Sequence, residues 1–491
     1  MLRPAELETN WAGKLIFFTI CLAIVLSAVA FGTVDYPALA VFQAGGALII
    51  VCWVVDAWRS GTLRLSRNPL QWPLIGLIVI GLIQVIPIGS AGDFGGALTG
   101  PLSRTLSLDP YATRLTLIQL FALLIYFAMA LAYIDSPGRL RVIVRTIIIF
   151  GFVLGFMAII QSLISPSKIY GLRAPPLAVP FGPFVNRHNF ASYMEMTLAL
   201  PLGMMFSGAV EREKRLLYLT AIALMGVALL MSGSRGGTIS LVAMIFFLVV
   251  LSGLRSKVKG IAPGISARTR HVFLRVGLGL ALLLAIAIGV TLIGGESSMS
   301  RFMDSVSASD PTTGRTQVWR VTWQIIKAHP VIGAGLGAYG VAYTPFDPHN
   351  GVNRPEQAHN DYLQVLADTG IIGSILGLFF IIALFRLGLH RRQSPDVFRR
   401  GVATGALAAC FALLVHSFFD FTLHTTSNAL LFLTMAALAT LDGRVERLVH
   451  HHRRKRHIPY VPASEDRGLS RKDGERYESE DQFEDVYVYE E

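Results

Sequence analysis

Apolar segments roughly 20 residues long recur about twelve times along this chain, and a helix of that length crosses the roughly 30 Å hydrocarbon layer of a bilayer. No other feature restricts the fold so strongly. Inside lipid every backbone N–H and C=O must be paired within the protein, which leaves helices or closed barrels. The segments lie near 15–31, 37–55, 72–88, 113–133, 142–164, 190–207, 215–232, 237–254, 273–293, 370–389, 401–423 and 427–441. Composition agrees: 15% of residues are charged, against about 25% in soluble domains. The expected fold is an all-α polytopic membrane protein with about twelve transmembrane helices. Residues 1–293 hold the first nine helices, 294–369 form a long outer loop with amphipathic helices, 370–441 hold the last three, and 442–491 form a polar, disordered tail.

The net charge of +11 is the kind of excess that also marks nucleic-acid binders. Here the basic residues fall in alternate short loops: Arg59, Arg64 and Arg67; Arg139, Arg141 and Arg145; Arg391, Arg392, Arg399 and Arg400. That alternation sets orientation, with both termini cytoplasmic and the long loop periplasmic, and no nucleic-acid partner is expected. The basic run from His450 to Arg456 suits anionic lipid headgroups. Cys21, Cys52 and Cys410 all sit in apolar segments, which excludes a disulfide framework. Ala28-Val29-Ala30 imitates a signal-peptide cleavage site, but Glu6 and Glu8 spoil the basic start, so a retained first span is expected.

Two outer stretches carry the chemistry. In the long loop, Asp310-Pro311 looks like a helix start, and Val318, Trp319, Val321, Trp323, Ile325 and Ile326 follow at helical spacing up to Ala328. A Trp- and Arg-bearing helix of this kind is expected to lie in the interface plane. Gly333, Gly335, Gly337 and Gly340 read as a flexible turn without a P-loop lysine. A second helix is expected from Glu356 to Asp368, stopped by Gly370, with His359, Tyr362, Leu363 and Leu366 on the face toward the membrane domain. The second stretch is the loop Ser232-Gly233-Ser234-Arg235-Gly236-Gly237.

By topology Arg235, Arg315 and His359 share one side of the membrane. Arginine offers a fork of donors matched to phosphate oxygens, and histidine can take a proton from a sugar hydroxyl near neutral pH. A pyrophosphate clamp with a base is a kit for glycosyl transfer. No Asp-x-Asp pair appears in the outer segments, so neither a metal nor another cofactor is expected. Simpler readings stand beside this one: His359 as a buried hydrogen-bonded residue, Arg315 as a lipid-snorkelling side chain, and the glycines as a tight turn. His349-Asn350 repeats the His359-Asn360 pair but sits in a loop-like context.

These residues also carry a family resemblance. Gly182 to Tyr193, Ser232 to Gly237, the run from Gly314-Arg315 through His329-Pro330 and Gly337 to His359-Asn360-Asp361-Tyr362-Leu363-Gln364, and His416-Ser417-Phe418-Phe419-Asp420-Phe421 together resemble the O-antigen ligase / polysaccharide polymerase family of bacterial membrane glycosyltransferases. The first five spans resemble it only in hydropathy. The resemblance implies a GT-C type fold in the inner membrane and an undecaprenyl-pyrophosphate glycan donor. It also implies transfer at the periplasmic face to lipid A-core by a metal-independent, inverting displacement. Arg235 and Arg315 would hold the pyrophosphate and His359 would act as base. Asn186, Arg187, Asn189, Asn360, Tyr362, His416 and Asp420 are candidate substrate-binding residues, and Glu195 is a similar intramembrane candidate. A polymerase, with glycan as acceptor, is the alternative within the family. A flippase or transporter for lipid-linked glycan is the alternative outside it, but no internal repeat supports one.

Overall fold

The computed structural model describes residues 10–90, 103–176, 178–253, 315–348 and 354–446. Helices dominate. In chain order they are α1 Trp11–Val29, α2 Tyr36–Ser60, α3 Gln71–Gln84, α4 Pro110–Tyr133, α5 Pro137–Ile164, α6 Arg187–Phe206, α7 Arg215–Met231, α8 Arg235–Gly253, α9 Arg315–Ala328, α10 Tyr339–Tyr343, α11 Asp361–Arg391, α12 Val397–His416 and α13 Thr426–Thr440. Polar caps begin several of them: the side chains of Asn10, Asp109 and Ser136 accept from Gly13, Ala112 and Arg139 N–H groups. Among the described residues seven helices are long and apolar enough to cross a membrane, and α3, α8 and α13 are apolar but shorter. The expected span near 273–293, the Asp310-Pro311 start, His349-Asn350 and nearly all of the tail lie outside the described residues.

Buried α6 and α12 form the centre. They touch backbone to backbone: a Cβ on Gly405 would lie 2.6 Å from Leu200 O, and one on Gly203 would collide with the Gly405 backbone. Small residues at a membrane-helix crossing let the backbones approach this closely. The wholly buried Arg399 at the start of α12 donates to Leu438 O at 2.9 Å and Leu441 O at 2.8 Å. A cation there complements the carbonyl end of α13. Polar residues such as Glu195 are tolerated on α6 because it faces protein all round.

A second, smaller core joins α9, α10 and the start of α11 through Val321, Ile325, Ile326, Ala334, Tyr339, Tyr343, Ala358 and Ala367. It changes three expectations. The apolar face of α9 packs on protein rather than lying open to an interface, although Trp323 stays half exposed. The glycine run is no flexible turn. Gly333, Gly335 and Gly337 all have positive φ, which glycine adopts without steric cost. Ala334 N–H donates to Ala367 O at 2.8 Å and Gly335 N–H to Asp368 O at 3.1 Å. The buried Gln84 side chain clamps the same seam, donating to Ile332 O and Asp368 O at 2.8 Å.

The third change concerns His359. It lies in the turn before α11, at φ +51, because Asn360 caps the helix and accepts from Tyr362 and Leu363 N–H, both at 3.0 Å. At Gly370 (φ 63, ψ −162) the helix breaks but continues to Arg391. The span expected at 401–423 is also shorter, since α12 ends at His416. The cause is Asp361, whose carboxylate accepts from Ser417 Oγ at 2.8 Å, Thr422 Oγ1 at 2.9 Å and Leu423 N at 3.2 Å. Those bonds fold residues 417–424 into a turn instead of another helical turn.

Candidate functional site

The turn after α12 brings the distant stretches together. Asp420, 1% exposed at its side chain, accepts from Arg315 Nη2 at 3.2 Å on Oδ2 and pairs with His359 Nδ1 at 3.2 Å on Oδ1. Arg315, the first residue of α9, also donates through Nη1 to Phe419 O. His188 Nδ1 lies 3.8 Å from Asp420 Oδ2. Burial alone would raise the Asp420 pKa. The His359 hydrogen bond and the charges of His188, Arg315 and His359 outweigh it and hold the carboxyl well below its ordinary range. An ionised Asp420 accepts the Nδ1 proton of His359, which leaves Nε2 as the basic ring nitrogen.

His359 is held from several directions. Its ring meets Phe421 edge-on at 4.9 Å. Its left-handed backbone costs about 1–3 kcal/mol for a non-glycine residue and persists only where surroundings enforce it. Here Ala358 N–H donates to Gln364 Oε1 at 2.6 Å, and the Asn360 side chain donates to Phe418 O at 3.1 Å. The ring nevertheless keeps 35% side-chain exposure, so an outside group can reach it.

The glycine-serine loop meets this cluster from α8. Ser234 Oγ lies 2.9 Å from His188 Nδ1 and 3.5 Å from His416 Nε2, and accepts Gly237 N–H at 3.2 Å. Arg235 follows it as the first residue of α8. Gly233 sits against Arg187, since a Cβ there would lie 3.3 Å from Arg187 Nη1. His416 bonds Glu195 Oε2 at 3.2 Å through Nδ1.

Of the residues singled out from sequence, Arg315, His359 and Asp420 make direct contact, and Arg187, Arg235 and His416 border them through the Ser234 loop. Others face elsewhere. Asn186 caps α6 through His188 N–H at 2.9 Å. The carbonyl of buried Asn189 accepts from Asn428 at 3.1 Å. Tyr362 OH donates to Leu414 O at 2.7 Å. Two residues absent from the candidate set belong to the site, His188 and Ser234. Both lie within the family-like stretches 182–193 and 232–237, and Ser234, three residues before Gly237, has the spacing of a helix cap. Among the described residues no group of three or more His, Cys, Asp or Glu side chains is arranged to hold a metal.

The family model described as O-antigen ligase matches residues 220–378. The matched stretch contains Arg235, Arg315 and His359 and stops short of His416 and Asp420. The match agrees with the resemblance drawn from the motifs, and the long apolar helices agree with a multi-pass membrane protein. No curated protein matches the chain.

Proposed function

We propose that this protein is an O-antigen ligase that moves glycan from undecaprenyl pyrophosphate to a hydroxyl of lipid A-core at the periplasmic face of the inner membrane. One observation carries the reading: Arg315 and His359 meet on opposite oxygens of the Asp420 carboxylate. Asp420 fixes the tautomer and orientation of the His359 ring through Nδ1. His359 Nε2 takes the acceptor O–H proton as that oxygen bonds to the anomeric carbon, and the bond from that carbon to the pyrophosphate oxygen breaks. The pyrophosphate leaves with the bonding electrons, and guanidinium groups stabilise its charge. Arg315 has five N–H donors, of which two are engaged by Asp420 and Phe419, so three remain for phosphate oxygens. Arg235, beside Ser234, supplies the second cation. Attack opposite the leaving group inverts the anomeric centre, and the arginines supply the positive charge that a metal would otherwise provide.

The test is transfer by purified protein given undecaprenyl-pyrophosphate glycan with lipid A-core or free glycan as acceptor. A lipid A-core product supports the ligase, and a lengthened glycan would make the protein a polymerase. His359→Ala should abolish transfer while the protein stays in the membrane. Transfer at the wild-type rate by that variant would remove the base.

A further inference from the structure

Glu195 and His416 form a buried side-chain pair on the two central helices, and His416 meets Asp420 through its main-chain carbonyl, which accepts from Asp420 N–H at 3.2 Å. Glu195 is 0% and His416 1% exposed at the side chain, and Nδ1 of His416 meets Glu195 Oε2 at 3.2 Å and Ser192 Oγ at 3.1 Å. Ionisable groups at such depth are costly and call for a function. The opposite edge of the His416 ring faces the Ser234 loop. A Cβ on Gly236 would lie 2.7 Å from His416 Cδ2, so only glycine leaves room for the ring. Ser234 then joins His416 to His188, whose Nδ1 faces Asp420.

We propose that Glu195 and His416 are positioning residues: a buried arm that sets the Ser234–Arg235 loop and His188 against Asp420, and so tunes binding of the lipid-pyrophosphate donor. The proton arrangement supports this. Ser234 has one hydroxyl proton and cannot donate to both rings. When His416 gives its Nδ1 proton to Glu195, its Nε2 accepts from Ser234. Ser234 in turn accepts from His188 Nδ1–H and from Gly237 N–H. The carboxylate thereby fixes the rotor of Ser234 and the tautomer of His188. Arg235, the next residue, begins its helix from that fixed point.

The inference rests on the ligase reading for the identity of the donor, and the experiment separates the two. Full-length protein in nanodiscs is assayed with undecaprenyl-pyrophosphate glycan and acceptor varied independently. Glu195→Ala should lower kcat/KM for the donor about 10- to 100-fold, the scale of a small misplacement of binding groups, while acceptor KM stays unchanged. Glu195→Gln keeps an oxygen that accepts the Nδ1 proton and should recover most of the loss. Ser234→Ala, a small change that keeps the loop packed, should repeat the donor-specific loss even if Glu195→Ala fails to accumulate. Wild-type donor kcat/KM in Ser234→Ala, or equal losses in Glu195→Gln and Glu195→Ala, overturns the arm. If the arm fails while His359→Ala is inactive in the same assay, the catalytic reading stands. Full activity of His359→Ala instead overturns that reading and the inference with it.

Discussion

The indole N–H of Trp319 donates to the carbonyl oxygen of Ala358 at 3.0 Å, one residue before His359. Helix α9 thus serves the site twice, with Arg315 at its start on Asp420 and Trp319 one turn later on the backbone that presents the imidazole.

Trp319→Phe keeps an aromatic side chain and removes that hydrogen bond, a loss of about 0.5–1.5 kcal/mol. Transfer should fall by several-fold to about tenfold, since 1.4 kcal/mol corresponds to a factor of ten, with unchanged protein levels. Initial transfer rates in membranes check this, and an unaltered rate would show that His359 does not depend on α9.

Asp420→Asn should cost about 100-fold or more in kcat, the scale of lost general-base catalysis. The amide can donate to Nδ1 and so favour the tautomer whose Nε2 already carries a proton. Combined with His359→Ala, the second substitution should add little, because the two residues act as one unit. Additive losses in the double variant would separate their roles.

Arg315→Lys should be severely impaired, because an ammonium cannot hold Asp420, Phe419 O and phosphate oxygens at once as the guanidinium fork does. Transfer near the wild-type rate would reduce Arg315 to a structural partner of Asp420.

Gly405→Leu should prevent accumulation of folded protein. Its Cβ alone would approach Leu200 O to 2.6 Å. Overpacking of a tight contact costs about 1–3 kcal/mol and often more when backbone is the obstacle. The level and thermal stability of detergent-extracted protein measure the effect.

His424 gives a pH dependence. Burial alone would lower its pKa, but the hydrogen bond to Asp361 and the charges of Asp361 and Asp368 outweigh this and raise it above the ordinary value. A folded pKa above the unfolded one stabilises the protein fully below pH about 6.5, and the contribution fades as pH rises through the folded value. The Tm advantage of wild type over His424→Gln should therefore be largest at mildly acidic pH and shrink on the alkaline side. An advantage that grows with pH would contradict the Asp361 pairing.

Much of the helix content was legible because long apolar runs and the 3.6-residue period of α9 are local properties of the chain. The error at His359 has a local cause as well. The periodic face continued through Tyr362, Leu363 and Leu366, while Asn360 offered the backbone a competing cap. The glycine run misled for a different reason. Composition shows freedom at Gly333 and Gly335, but only the fold shows that Gly333 admits the Asp368–Thr369 backbone and Gly335 the Ser107 side chain. That Arg315 and His359 would meet on Asp420 was not legible at all. His416 and Asp420 stand four residues apart, the spacing of one helix face, whereas the chain turns at Ser417 and sends their side chains to different partners.

The seam between residues 330–337 and α11 has a mechanical meaning. Main-chain bonds link Ala334 and Gly335 to Ala367 and Asp368, and Ile371 N–H donates to Pro330 O at 2.9 Å, with the Gln84 amide sealing the same line. A join made that way has no slack. The bonds fall on both sides of the break at Gly370, so residues 330–335 act as a splint across the point where the backbone of α11 is interrupted.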